Sequence, residues 1–241
     1  MQAAVQAVTT VSVAAMAAWA LRRWRRTAAA DSVQAASAVG VVGLGVMGSQ
    51  LTLNLAEKLG PSGARVSGFD LDEAKAKATR EAAVKEGQNA DAFTSLTPFV
   101  SSLSRPRRLL LLVPAGKAVE AAIEALLPLL DKGDVIVDMG NEWFQATEAR
   151  QARIAPTGVL YVGCGLSGGG EGARRGPCLM PGGPREAWEL LRPLLESVAA
   201  RIHVKAGLAA TGGAEGFACV RYIGPGGSGH YVKMVRCPKI R

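Results

Sequence analysis

Val39-Gly40-Val41-Val42-Gly43-Leu44-Gly45-Val46-Met47-Gly48 is the stretch that decides the fold of this chain. Its opening run, residues 39–44, is rich in valine and reads as a buried strand. The glycines at 43, 45 and 48 fall where that strand must turn into a helix, predicted over residues 49–59. Each glycine has its own physical task. Gly43 permits the tight turn, Gly45 lets the backbone approach a pyrophosphate, and Gly48 allows the helix to pack closely on the strand while the helix N-terminus faces anionic charge. The competing reading is a glycine-rich turn with no ligand. The strand before it, the helix after it and an acid further along weigh against that reading.

That acid is Asp70, at the end of the next predicted strand and 22 residues beyond Gly48. A carboxylate there accepts hydrogen bonds from ribose hydroxyls and repels a 2′-phosphate, which favours NAD over NADP. Its plainer alternative is a helix N-cap, a task that Asp72 is also placed to perform. From residue 39 onward, short apolar runs at 39–44, 65–69, 108–113, 134–138 and 159–162 alternate with helical stretches at 49–59, 72–86, 116–130 and 145–154. This alternation is the mark of βαβ units around a parallel sheet. A further helix is predicted over 184–199, followed by short strands at 201–204 and 220–223. The fold class expected is α/β, a Rossmann-type doubly wound, mostly parallel sheet over residues 39–225.

Residues 1–38 are set apart from that fold. An apolar stretch at 3–21 contains eight alanines and is followed by Arg22, Arg23, Arg25 and Arg26, with no acid before Asp31. Arginines without acids, followed by small residues, suit an organelle (plastid or mitochondrial) transit segment; a signal anchor and a packed N-terminal helix are the alternatives. Membrane contact is expected only through residues 1–26. The formal charge of +8 falls to +4 once those four arginines are subtracted, and no basic stripe interleaved with aromatics points to nucleic acid. Four cysteines without C-x-x-C spacing and two histidines argue against a zinc site, and no metal is expected.

The most specific segment is Ser167-Gly168-Gly169-Gly170-Glu171-Gly172-Ala173-Arg174-Arg175-Gly176-Pro177-Cys178-Leu179-Met180-Pro181-Gly182-Gly183. It resembles the decarboxylating 6-phosphogluconate dehydrogenases, whose pattern here is approximately S-G-G-E-E-G-A-R-x-G-P-S-L-M-P-G-G. Gly43 to Gly48, Leu110-Leu111-Leu112-Val113, Asp138 with Gly140-Asn141, and Gly229-His230-Tyr231-Val232-Lys233-Met234-Val235 agree with the same family. Hydroxyisobutyrate-type dehydrogenases share the first glycine motif and the S-G-G, but not the longer run, and stand second. A non-catalytic dinucleotide-binding module is the third reading.

The resemblance implies an oxidative decarboxylation of 6-phosphogluconate to ribulose 5-phosphate and CO2 with NAD(P), NADP being the family default. It implies that Lys233 is the acid–base lysine. Desolvation near a cofactor can tune such a lysine; a solvated helix-surface lysine is what spacing alone suggests. It implies substrate contacts from Ser167, Gly168 and Gly169, and from Asn141 between nicotinamide and substrate. Cofactor contacts are expected from Gly43, Leu44, Gly45, Val46, Met47, Gly48, Asp70, Val113 and Asn141. The partner implied is a small anionic sugar phosphate.

Several positions depart from the family. Asp70-Leu71-Asp72 replaces an N-R-T-like sequence, removing the arginine that pairs with a 2′-phosphate; Pro114 replaces a lysine and Met139 a glycine. After Val235 the sequence reads Arg236-Cys237-Pro238-Lys239-Ile240-Arg241 instead of H-N-G-I-E-Y-G. Residues 226–241 are therefore expected to be a shortened start of the helix that leads, in the family, to an all-helical domain and most of the homodimer contacts.

Overall fold

The computed structural model describes residues 36–202 and 216–236. Seven strands form one sheet: β1 (Ser37–Val42), β2 (Arg65–Phe69), β3 (Ala90–Phe93), β4 (Arg108–Leu111), β5 (Val135–Asp138), β6 (Leu160–Ser167) and β7 (Cys178–Gly182). Their spatial order is β3-β2-β1-β4-β5-β6-β7. The first six pair in parallel, and β7 closes the edge antiparallel to β6. Because the chain runs outward from β1 in one direction and from β4 in the other, neighbouring connections leave on opposite faces between them. A crevice opens there, at the carboxyl ends of the strands.

Both faces of the sheet are apolar, which is why its strands read as near-continuous hydrophobic runs. Val39, Val41, Leu110, Val135 and Val137 point to one face, against helices α1 (Val46–Leu59), α2 (Glu73–Lys85), α6 (Gly169–Arg175) and α7 (Arg185–Val198). Val42, Leu109, Leu111 and Ile136 point to the other, against α3 (Leu96–Ser101), α4 (Lys117–Leu126) and α5 (Phe144–Ile154). The one-residue alternation of the strands thus divides the core in two. A last helix, α8 (Ser228–Arg236), lies on β6 and β7.

The expected fold class holds, with differences in detail. β1 runs two residues earlier than expected and ends at Val42, because Gly43 turns the chain out of the sheet at φ +92°. The pair β3 and α3 carries no strong periodicity and was not anticipated. The strand expected at 159–162 runs further: β6 continues to Ser167, a short helix follows, and β7 returns. Pro181 is tolerated because β7 is the edge strand. Many of the glycines let α8 lie directly on the backbone of this hairpin. A Cβ at Gly182 would meet the Gly229 amide, and one at Gly165 would come 2.7 Å from Lys233 Cβ.

Of the late strands, Arg201–Ile202 (β8) pairs antiparallel with Phe217–Ala218 (β9), while Val220 and Gly224 make single bridges to Leu179 and Gly182. Residues 203–204 of the first predicted strand lie outside the described residues. So do residues 1–35 of the predicted leader, whereas Ser37 and Ala38 belong to β1. The departures at Cys237, Pro238 and Ile240 also fall outside the described residues. No helix among the described residues is long and apolar enough to cross a membrane.

Candidate dinucleotide site

A cavity of about 1290 Å³ occupies the crevice at the strand ends. One side of it is the loop from β1 to α1. The helix opens at Gly45 with no side-chain cap and no acid in its first turn, so the unpaired amides of that turn are left for an anion. Gly43, Gly45, Val46 and Met47 line the cavity. A Cβ on Gly45 would meet nothing within 4 Å: the space above it is open. A Cβ on Gly48 would run into the carbonyl oxygen of Gly43. Gly48 and the buried Leu44 shape this loop from beneath and are not part of the cavity wall, unlike the other expected contact residues.

Asp70 follows β2 beside the loop. Its Oδ2 accepts the Leu44 amide at 2.8 Å, and its Oδ1 accepts the Asp72 amide at 2.9 Å. Asp72 caps α2 by accepting the Ala74 amide at 2.9 Å, so the cap and the loop contact are divided between two acids. Lys75, which the sequence reading passed over, also lines the cavity, with its Nζ 3.9 Å from Asp70 Oδ1 and 3.6 Å from Asp72 Oδ2. Its signal was the three-residue helical spacing from Asp72.

At the opposite end, Val113, Asn141, Ser167, Gly168, Gly169 and Lys233 converge on the same cavity. They come from the loops after β4 and β5, from the end of β6 and the start of α6, and from α8, separated in sequence and joined by topology. Lys233 is only 8% exposed and donates from Nζ to the Leu166 carbonyl. The Ser167 hydroxyl is buried, yet it has no hydrogen-bond partner within the protein. A buried hydroxyl without a partner is costly, so one at a cavity wall fits a polar ligand. That orphan hydroxyl, the open cradle over Gly45 and the uncapped amides suit a dinucleotide with a polar second ligand.

Beneath Asn141 lies a polar network that the sequence reading missed. Tyr161 donates its hydroxyl to Asp138 Oδ2 at 2.9 Å, and Asp138 Oδ1 accepts the Gly140 amide at 3.0 Å. Arg150 reaches Glu142 Oε2 at 2.8 Å and Glu120 Oε1 at 2.6 Å. Burial alone would push the Glu142 carboxyl up, but the Gly116 and Trp143 amides and the Arg150 guanidinium hold it below its ordinary value. His230 is buried against Thr147, its Nδ1 2.7 Å from the threonine Oγ1, and burial favours its neutral form. Burial also pushes the Cys164 thiol up to about 12, which suits a small core residue and not a nucleophile. Among the described residues, no group of three or more His, Cys, Asp or Glu side chains is placed to hold a metal ion.

Residues 38–223 match the family model described as the NAD binding domain of 6-phosphogluconate dehydrogenase. The chain belongs to that family. It is 48% identical over 199 residues to "6-phosphogluconate dehydrogenase, decarboxylating 2, chloroplastic" of Oryza sativa subsp. japonica, covering 82% of this chain and 36% of the rice protein. It is 41% identical over 197 residues to the NADP(+)-dependent, decarboxylating 6-phosphogluconate dehydrogenase of Bacillus subtilis, 82% of this chain and 38% of that protein. The solved Plasmodium falciparum 6-phosphogluconate dehydrogenase superposes with a TM-score of 0.72 at 34% identity, covering 82% of this chain and 39% of that one. The chain therefore spans between a third and two fifths of the length of these 6-phosphogluconate dehydrogenases. A 3-hydroxyisobutyrate dehydrogenase from Salmonella typhimurium shares the fold, with a TM-score of 0.64 at 21% identity.

Proposed function

We propose that residues 39–225 are the cofactor-binding part of a decarboxylating 6-phosphogluconate dehydrogenase, and that they bind NAD in preference to NADP. The observation that carries this reading is the single cavity in which an uncapped helix N-terminus over Gly45 meets Asn141, Ser167 and Lys233. Gly43, Gly45, Val46 and Met47 would hold the pyrophosphate, and Asp70 the adenine ribose. Val113 and Asn141 would border the nicotinamide, which when bound accepts hydride from C3 of the substrate. Ser167 and the amides of Gly168 and Gly169 would hold the sugar-acid carboxylate and hydroxyls. Lys233 would take the proton of the 3-hydroxyl, then return one to the carbonyl as CO2 departs.

The preference for NAD rests on charge. A 2′-phosphate would sit against the Asp70 carboxylate, which is already bonded to the loop amide and cannot turn away without releasing it. Lys75 stands close enough to temper that repulsion. A plastid destination for the full chain is favoured by residues 22–30, which are free of acids and rich in arginine, and by the chloroplastic rice relative.

Equilibrium binding to the full chain tests the reading. NAD should bind more tightly than NADP, and the NADH-loaded protein should bind 6-phosphogluconate but not 3-hydroxyisobutyrate. Ser167→Ala should weaken the sugar acid without affecting NAD. Tighter binding of NADP would refute the cofactor preference, and selection of hydroxyisobutyrate would refute the substrate class.

A further inference from the structure

We propose that Glu142, held by Arg150, is a positioning residue that locks together the two loops on the nicotinamide side of the cavity. This rests on the cofactor reading given above. In a doubly wound sheet the adenosine half of a dinucleotide lies over one side of the switch point and the nicotinamide half over the other. Here the second side is bounded by the loops after β4 and after β5, which supply Val113, Pro114 and Ala115, and Met139, Gly140 and Asn141. Neither loop is long enough to have a core of its own. Each must be fixed by hydrogen bonds.

Glu142 is 6% exposed and is shared between them. Its Oε2 accepts the Gly116 amide of the first loop at 2.8 Å, and its Oε1 accepts the Trp143 amide of the second at 2.9 Å. Arg150, on α5 and 4% exposed, places Nη1 2.8 Å from Glu142 Oε2 and 3.6 Å from Asp138 Oδ2. Its Nε is bonded to Glu120 on α4, so the same guanidinium joins the helices that follow both loops. Asn141 stands between Gly140, anchored to Asp138, and Glu142, anchored to Gly116. A buried carboxylate in this place is held by charge and by two backbone donors, which fixes the backbone on both sides of Asn141 where it lines the cavity. The adenosine side takes no part: Asp70, Lys75 and the glycine loop have no bond to this cluster.

A role confined to folding would weaken every ligand together, whereas a role in positioning weakens only ligands that carry nicotinamide. Glu142→Gln keeps an acceptor for the Gly116 amide but removes the charge that Arg150 needs; Arg150→Lys keeps a charge but loses the planar fork. NAD and ADP-ribose, which lacks the nicotinamide, are to be titrated by calorimetry into the full chain and both variants. NAD affinity is expected to fall about tenfold in Glu142→Gln and less in Arg150→Lys, with ADP-ribose affinity within about twofold of wild type in both. Equal losses for the two ligands, or no loss for either, would overturn the inference while leaving the cofactor reading intact. Wild-type protein that binds neither ligand would overturn both.

Discussion

The loop after β1 and the loop after β5 face each other across one cavity, yet different forces hold them. The first is held by backbone proximity: Gly48 sits against the Gly43 carbonyl, the Gly43 amide donates to Phe69 at 2.8 Å, and a single carboxylate, Asp70, accepts from Leu44. The second is held by side-chain charge, with Asp138, Glu142 and Glu120 gathered around Arg150. Beyond Gly43 and Leu44, the amides that open α1 have no side-chain cap and are left to bind an anion. The charge-held loop spends its amides on carboxylates and presents side chains, Asn141 above all, to the cavity. On the proposed reading, one receives phosphate charge and the other orients a ring.

The contrast can be broken most severely at Arg150. Arg150→Met would leave Glu142 and Asp138 buried without their counter-charge, and should cost about 4 kcal/mol of stability in chemical denaturation. Gly48→Ala attacks the other loop through sterics alone. Its Cβ has to displace the Gly43 backbone, so the expected loss is about 3 kcal/mol, accompanied by loss of NAD binding. Gly45→Ala separates fold from function: its φ of −66° suits any residue and open space receives the methyl group, so the melting temperature should stay within about 2 °C of wild type. The same methyl group stands in the phosphate cradle and should weaken NAD at least about tenfold. Asp70→Asn keeps an acceptor for the Leu44 amide and removes the repulsion of a 2′-phosphate; the ratio of NADP to NAD affinity should rise by about tenfold.

The smallest effect is on acid stability. The folded-state carboxyl of Glu142 lies below its ordinary 4.5, so its contribution is fully present above that value and is lost as pH falls through the lowered one. Melting temperatures measured from neutral to acid pH should fall more steeply below 4.5 for wild type than for Glu142→Gln. Parallel curves would show that the charge is not what holds the second loop.

The same difference explains what could be read from the sequence. A loop specified by backbone contact writes its requirements into adjacent positions, and Gly43, Gly45 and Gly48 follow a valine strand in the order that the turn demands. The parallel sheet was legible for a similar reason, since each strand is an apolar run with a helix beside it. The ion network was not legible. Glu120, Asp138, Glu142, Arg150 and Tyr161 come from α4, β5, the loop beyond it, α5 and β6, and only the packed sheet brings them together. The β6–α6–β7 hairpin was hidden by composition: its glycines interrupt the apolar runs by which strands are recognised, although several serve the close approach of α8. Lys75 was missed because a lysine one turn into a helix looks like any solvated charge.

The account stands most directly on calorimetric titration of the full chain with NAD, repeated with Gly45→Ala. It predicts saturable binding of one NAD per chain, weakened at least about tenfold in the variant while the melting temperature is unchanged. Absence of NAD binding, or binding that Gly45→Ala leaves untouched, would contradict it.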